Sequence, residues 1–186
     1  TTKVYSGVSN LVGNLPLEQA MQAEFDKLGP VPFEKEDEAF AEEIRKTLTT
    51  EDIAASFQRA GRQTPPELPL CDFVAPLDRP SHGGEGSTDV GDVSWVTPTV
   101  QARVATCAVG TPFHTWQTVA QGKAPAAHKG MVHAAKVMAA TATHLINSSE
   151  TLKAARDVHD KRQQTTPYVC PIPPNVKPPV IDEPLS

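Results

Sequence analysis

The first half of the chain contains three segments in which apolar residues recur at helical spacing. Asn14-Leu15-Pro16 predicts a helix start, because proline suits the first helical turn, and the apolar repeat then continues to Gly29-Pro30. A second helix is predicted over about 34–48, where acidic residues open the segment and Arg45-Lys46 close it, as the helix dipole favours. A short third helix is predicted from Thr50.

In the second half, a segment of near-alternating polarity comes before two long helical patterns. Residues 99–109 alternate between apolar and polar positions and predict a β-strand, and residues 113–121 are a second candidate strand. An Ala-rich helix is predicted over about 127–147, and a charged helix from an N-cap at Ser149 to about Gln163. Helices that flank a few strands predict an α/β layered fold.

Composition and charge narrow the classes of function. The 18 prolines cluster in two stretches, which predict a connection at 65–80 and an extended tail at 167–184. The net charge of −5 and the lack of any long basic cluster argue against nucleic acid and against a membrane surface as partners. The three cysteines (Cys71, Cys107 and Cys170) are far apart and form no CxxC pair, which predicts reduced thiols and a cytoplasmic protein.

Among the six histidines, His128 is the strongest candidate for a metal ligand. It follows the loop 122–127 and opens the long helix, where rigid structure can hold a ligand beside a cavity, although a lone histidine with only a hydrogen-bonding role is the alternative. His133 and His144 lie eleven positions apart rather than four, unlike a helical zinc pair, and are predicted to be surface or interhelix residues. His159, among charged residues, is predicted to lie on a solvated face.

Two loops carry further candidates. In the Gly-rich loop of Ser87-Thr88-Asp89, Asp89 either caps local amides in an Asx-type turn or orients a metal-bound histidine, and no phosphate-binding motif is present. His114 and Trp116 form either part of a substrate pocket or part of the core. Glu42-Glu43 is predicted to be a solvated face, because adjacent helical residues point about 100° apart and cannot share a site.

Four segments together resemble one protein family: Ser9-Asn10-Leu11-Val12-Gly13-Asn14, Gly86-Ser87-Thr88-Asp89-Val90-Gly91-Asp92-Val93-Ser94-Trp95, Gly110-Thr111-Pro112-Phe113-His114-Thr115-Trp116-Gln117 and Gly122 to Met131. They resemble the aminoacylase and carboxypeptidase family of dinuclear metallopeptidases, and in particular its amidohydrolases of the aminobenzoyl-glutamate hydrolase type. The similarity covers about residues 5–180, and the second segment is its most specific part.

The resemblance implies the C-terminal part of a zinc-exopeptidase-like catalytic domain, an α/β fold with a central mixed sheet flanked by helices. Residues 1–10, where Val4-Tyr5 and Val8 would form a strand, then correspond to the return strand from an inserted lid and dimerisation domain, and residues 11–186 to the C-terminal part of the catalytic domain with its Pro-rich tail. His128 matches the family's last metal ligand. The residues assigned to the substrate and active-site loops are Ser87, Thr88, Asp89, His114 and Trp116.

The implied function is metal-dependent hydrolysis of an N-acyl or aminobenzoyl amino acid, such as aminobenzoyl-glutamate, with two divalent ions, zinc or manganese. The family's other ligands and its general-base glutamate are not found here and are expected upstream of Thr1, so the chain alone is expected to have no catalytic residue, no stably bound metal and no activity. The expected partners are the N-terminal part of the same enzyme, a second copy bound through the lid, a related second subunit and a small-molecule amide. A non-catalytic remnant or interaction module of the same fold, and a broad-specificity aminoacylase or peptidase, are the alternatives.

Overall fold

The computed structural model describes Val4 and residues 6–61, 67–78 and 88–177. Within these residues it contains seven α-helices: α1 Leu15–Leu28, α2 Lys35–Arg45, α3 Thr50–Arg59, α4 Val90–Val96, α5 Trp116–Gln121, α6 Pro125–Ile146 and α7 Ser149–Thr165. The five helices predicted from apolar spacing are confirmed as α1, α2, α3, α6 and α7. None of the helices in these ranges combines the length and the apolar character that crossing a bilayer requires.

The predicted α/β fold with a central mixed sheet flanked by helices is wrong for this chain, because the described ranges contain helices and no β-strand. The candidate strand at 99–109 has no regular structure, and the one at 113–121 contains α5. The alternation matches exposure only at 101–103, where Gln101 and Arg103 are exposed and Ala102 is half-buried, since residues 104–107 are all half-buried and residues 108–109 are both buried. A strand also needs a second backbone to pair with, and the polarity pattern of one segment does not supply it.

Helix α4 lies in a region that the sequence assigns to loops. Its seven residues include Gly91 and three valines, which have weak helix propensity, so the local sequence gives little signal. Helix α5 begins where the Thr115 hydroxyl accepts a hydrogen bond from the Thr118 N–H, at 3.5 Å. Helix α5 therefore depends on its N-cap, and helix α4 on tertiary contacts, more than either depends on periodicity.

The first core forms where α1 packs against both α6 and α7, which also contact each other. Val137 of α6 is fully buried in it. The Asn14 side chain, at the start of α1, donates to the Ala155 carbonyl of α7 at 2.9 Å, and His133 of α6 is hydrogen-bonded to the Gly29 carbonyl at 3.0 Å. These bonds fix α1 at both of its ends.

A second core lies where the first turn of α6 meets α2. It consists of Ala41, Ile44, Leu70, Ala108 and Ala126, with Phe33 packed against it. Gln121 holds the segment that enters this core, because its side-chain oxygen accepts from the Ala108 N–H at 2.7 Å and its amide donates to the Thr111 hydroxyl at 3.0 Å. This core sets the direction in which α6 leaves α5.

Gly130 of α6 allows the segment 104–106 to lie directly on the helix. A Cβ at this position would collide with the Ala105 carbonyl oxygen and crowd the Thr106 methyl group. A helix–backbone approach this close is open only to glycine. The segment predicted to be a strand therefore packs against α6 at Gly130.

A buried ion pair joins α6 to α2. Lys129 bonds to Asp37 at 2.5 Å and to Glu34 at 2.7 Å, and Asp37 is 4% exposed. Burial raises the pKa of Asp37, but the Lys129 ammonium and the Glu34 backbone N–H outweigh it and hold that pKa below its usual value. The carboxylate is therefore charged in the folded protein and stabilises it.

We predict that Asp37→Asn lowers the free energy of unfolding by about 1–3 kcal/mol at pH 7, because the Lys129 ammonium loses its buried counter-charge and the Glu34 N–H loses a charged acceptor. Since the folded-state pKa of Asp37 is depressed, its stabilising contribution is present at neutral pH and disappears as the pH falls through that pKa, below about 4. Urea unfolding at pH 7 and pH 3 measures both effects. Glu38→Gln, at an exposed carboxylate on the same helix, is the control, and an equal loss in both variants would contradict the prediction.

Candidate functional site

The described part of the most specific sequence segment, residues 88–95, forms a junction between distant parts of the chain. The Thr88 hydroxyl accepts from the Val90 N–H at 3.3 Å as α4 begins. The Asp92 carboxylate then accepts from the Ser9 N–H at 3.2 Å and from the Tyr168 hydroxyl at 2.8 Å. One carboxylate thus holds both the segment before α1 and the segment after α7.

Ser94 and Trp95 complete this junction. The buried Ser94 hydroxyl accepts from the Val12 N–H at 3.0 Å and donates to the Gly91 carbonyl at 2.6 Å. The Trp95 indole N–H donates to the Asn10 carbonyl at 2.9 Å. The backbone of residues 9–12 is therefore hydrogen-bonded to three side chains of α4.

Gly91 makes the close contact at the junction possible. A Cβ at Gly91 would overlap the Ser9 carbonyl oxygen. The lack of a side chain is thus required by the neighbouring backbone rather than by the conformation of Gly91 itself, which lies in a helix.

The Asp92–Tyr168 pair has a fixed protonation state near neutral pH. The Tyr168 hydroxyl and the Ser9 bonds lower the pKa of Asp92. The Asp92 carboxylate raises the pKa of Tyr168 well above its usual value. Because each group holds the other in its ordinary ionic form, the pair acts as a structural clamp and not as an acid or base for chemistry at neutral pH.

A shallow depression of about 300 Å³ borders the clamp. It is lined by Val8, Ser9, Asn10, Trp95, Pro167, Tyr168 and Val169. The Trp95 and Tyr168 rings contribute a tilted aromatic pair with centroids 6.5 Å apart. The described residues that the sequence assigns to the active-site loops do not line this depression.

The predicted loop residues Thr88 and Asp89 lie just before α4, and Ser87 lies outside the described residues. Asp89 is exposed and makes no capping hydrogen bond to α4. Asp89 therefore caps no amide of α4, and the Thr88 hydroxyl accepts from the Val90 N–H instead. The carboxylate of Asp89 faces solvent.

His114 and Trp116 sit at the start of α5 and are both exposed. His114 has a φ of 63°, a left-handed backbone conformation that non-glycine residues rarely adopt. Trp116 is 60% exposed and the neighbouring Phe113 is 74% exposed. The core interpretation of Trp116 is thus wrong for this chain, and the strained backbone at His114 presents aromatic side chains to solvent.

His128 is exposed in the first turn of α6. It borders an open depression of about 280 Å³ lined by Pro32, His128, Lys129, Val132, His133 and Lys136. The lining of this depression contains no carboxylate or thiol that could join His128 as a metal ligand, and Lys129 is bound to Asp37 and Glu34. His82, the remaining histidine near the Gly-rich loop, lies outside the described residues.

The other histidines bond between helices or segments. His133 and His144 are interhelix residues as predicted: His133 bonds to Gly29, and His144 bonds to Glu24 of α1 at 3.0 Å. The prediction for His159 is wrong, because it is 5% exposed and bonds to the Trp95 carbonyl at 3.2 Å. Its charged neighbours face solvent while its own position, four residues after the buried Ala155, faces the junction.

Glu42 and Glu43 are both exposed, as the solvated-face interpretation predicts.

The structure does not bring the predicted site residues together. Across the described ranges, no group of three or more His, Cys, Asp or Glu side chains is arranged to hold a metal ion. The histidine assigned as a ligand, His128, and the exposed Asp89 are not joined by any hydrogen bond there. The described residues therefore do not form a two-metal centre by themselves.

The residues that sequence reasoning misses are Asp92, Ser94 and Tyr168. The sequence does contain a signal for Asp92 and Ser94, because both lie in the motif segment Gly86–Trp95. The structure shows that the described part of this segment contacts the other motif segment, Ser9–Asn14. Two motifs that occur together in a sequence can be specific because they bind each other. Packing against residues 9–12 thus explains residues 91–95 of the Gly86–Trp95 segment.

Comparison with known proteins relates the chain to a curated enzyme subunit. It is 41% identical over 180 residues to the B subunit of p-aminobenzoyl-glutamate hydrolase of Escherichia coli (strain K12), and the match covers 91% of this chain and 37% of that protein. The chain therefore spans little more than a third of the length of this relative. No protein-family profile and no solved structure matches the chain. The resemblance to amidohydrolases of the aminobenzoyl-glutamate hydrolase type that the motifs indicate is confirmed.

We predict that Gly91→Ala destabilises the chain by about 1–3 kcal/mol, because the new methyl group overlaps the Ser9 carbonyl and forces residues 9–12 away from α4. Gly122→Ala is the matched control: its backbone is helical, with φ −60°, and its Cβ would meet only ordinary contacts, so it should change stability by no more than about 0.5 kcal/mol. Thermal unfolding followed by circular dichroism compares the two. Equal stability of both variants would show that the junction is not closely packed.

Proposed function

Starting from its relationship to the aminobenzoyl-glutamate hydrolase of E. coli, we propose that this chain is the C-terminal part of a metal-dependent amidohydrolase. The reaction is hydrolysis of the amide bond of an N-acyl or aminobenzoyl amino acid, such as aminobenzoyl-glutamate. The observation that carries the proposal is the 41% identity, which extends over 91% of the chain rather than over a short motif. Identity of this extent supports a shared fold and a shared class of reaction more strongly than any single residue does.

The metal requirement belongs to the complete polypeptide in this proposal. The described residues assemble no ligand cluster, and we propose that His128 contributes one ligand to a centre of two divalent ions, zinc or manganese, whose other ligands lie elsewhere in the polypeptide. His128 is accessible for this role because it is exposed on the rigid end of a long helix. A neutral imidazole is a common ligand for zinc, whereas manganese is better suited by carboxylate and water ligands.

The exposed loop residues have roles that follow from their chemistry. Trp116 offers an apolar face with a polar edge, which suits an aromatic acyl group such as an aminobenzoyl ring. The His114 imidazole, on its strained backbone, and the Thr88 hydroxyl can hydrogen-bond a polar substrate group, and the Asp89 carboxylate can orient a ligand histidine. We assign Ser87 to the same active-site loop from the sequence alone, because it lies outside the described residues.

The remaining parts of the proposal concern partners and location. We propose that the N-terminal part of the same enzyme is the main partner, with homodimerisation through a lid domain and, in keeping with the relative's designation as one subunit of its enzyme, a second related subunit. The cytoplasmic location rests on the three widely spaced cysteines, which suit a reducing compartment.

A second candidate function is a non-catalytic interaction module. It is favoured by the lack of a metal-ligand cluster in the described ranges and by the large number of exposed apolar side chains. A broad-specificity aminoacylase or peptidase is a variant of the first proposal and differs from it only in substrate range. Activity assays on the complete polypeptide separate all three.

We predict that the 186-residue chain alone does not hydrolyse aminobenzoyl-glutamate or N-acyl amino acids, because affinity for a metal pair depends on ligand number and geometry. The complete polypeptide should hydrolyse at least one of them and should lose that activity on dialysis against a chelator. Release of the free amine, measured with and without added zinc or manganese, tests both statements. A complete polypeptide that is folded and inactive with every metal would favour the interaction module.

We predict that His128→Ala in the complete polypeptide abolishes metal retention and lowers turnover by about 100-fold or more, since loss of a ligand should cost at least as much as loss of a group that only orients one. His144→Ala, which removes an interhelix bond to Glu24, should keep the metal. Metal content per chain after dialysis is the measurement, with circular dichroism as the control for folding. Retention of both metals by His128→Ala would remove this residue from the site.

A further inference from the structure

Helix α6 has one buried face and, on the opposite side, an exposed face of apolar residues. Its inner face, which includes Gly130, His133, Val137 and Thr141, is buried against α1, α7 and the segment 104–106. At 100° per residue, a second set of positions occupies an arc of about 120° on the opposite side. We call this set the outer face of α6: His128, Met131, Val132, Ala135, Met138, Ala139, Ala142 and Ile146.

Every residue of the outer face is exposed in this chain. Met131 is 61% exposed, Met138 52% and Ile146 81%. The face contains no formal charge along the 22 residues of the helix, and His128 at its first turn is its only polar member. A surface helix ordinarily has one apolar stripe and a polar opposite side, whereas a helix that is apolar all round is normally buried. Contiguous apolar surface of this kind marks an interface.

We propose that the outer face of α6 is covered, in the complete protein, by the part of the polypeptide that this chain does not include. This inference rests on the proposed function, because it takes the chain to be part of a longer polypeptide like its relative. The match covers 37% of that relative, so the larger part of the relative lies outside it and has its own apolar surface to bury.

The chemistry of the outer face distinguishes this partner from the other candidates. A membrane surface selects a helix with several lysine and arginine residues beside its apolar stripe, whereas α6 contains only Lys129 and Lys136, and of these only Lys136 is exposed. Lys129 is in addition bound to Asp37 and Glu34. A second copy of the chain is the remaining candidate, and its presence is measurable as a dimer.

The position of His128 at one end of the outer face gives this packing a functional consequence. A segment that covers Met131, Ala135 and Met138 passes beside His128 and can place further ligand side chains next to it. The covering contact would thus both bury apolar surface and complete the site of the proposed function. Such a division agrees with the finding that no group of three or more ligating side chains converges among the described residues.

The first test uses the 186-residue chain. Light scattering coupled to size exclusion should find a monomer over a wide concentration range, and the double variant Met138→Glu/Ala142→Glu should have an unchanged melting temperature, because both positions face water. A wild-type dimer that the double variant converts to a monomer would assign the outer face to a second copy and overturn the proposal.

The second test places glutamates at the aligned positions of the complete E. coli relative. A glutamate buried without a partner should lower the melting temperature by about 5 °C or more, or prevent soluble folding. Glutamate at the position aligned with Lys136, which is exposed beside the arc, is the control and should leave the melting temperature nearly unchanged. An unchanged melting temperature for the outer-face variants would overturn the proposal.

Stability and activity separate this inference from the proposed function. If the outer-face variants of the complete protein lose stability while its wild type hydrolyses none of the amides tested, the docking inference stands and the proposed function fails. If wild type and variants are equally stable and equally active on aminobenzoyl-glutamate, the proposed function stands and the docking inference fails.

Discussion

The packing of α1 into the space between α6 and α7 is the interaction on which the rest of the structure depends. Asn14 binds α7 at one end of α1, and the Gly29 carbonyl receives His133 of α6 at the other, so both long helices are positioned by a single element. The first turn of α6 then carries Lys129 to the buried Asp37 of α2. From this framework, α6 buries one face in the core and exposes a face of apolar residues on the opposite side.

The helices could be predicted from sequence because helical periodicity is a local property. Leu17, Ala20, Met21 and Glu24 are buried as their spacing indicates, and the Ala-rich and charged segments give α6 and α7 to within a few residues. The N-cap of α7 is Ser148 rather than the predicted Ser149, a shift of one position between two adjacent serines. Predicting such helices does not require knowing which distant residues contact them.

The failures concern features that depend on a partner. The alternation at 99–109 is a property of one segment, but a strand exists only if another backbone pairs with it, and here the Ala105 carbonyl lies against Gly130 instead. The charged neighbours of His159 favour solvent, whereas its bond to the Trp95 carbonyl, 64 positions away, decides its burial. The candidate site shows the same limit: residue type suggests His128, while the geometry around it depends on groups that do not converge among the described residues.

The clamp at Asp92 has a dynamic consequence. Ser9, in the segment before α1, and Tyr168, in the segment after α7, are hydrogen-bonded to the same carboxylate. The two segments also pack against each other where Gly7 lies beside Pro171. Local opening in proteins proceeds in cooperative units. Two stretches separated by about 160 positions should therefore exchange their amide hydrogens as one unit, so that the kinetics of opening, and not the order of the sequence, would identify them as neighbours.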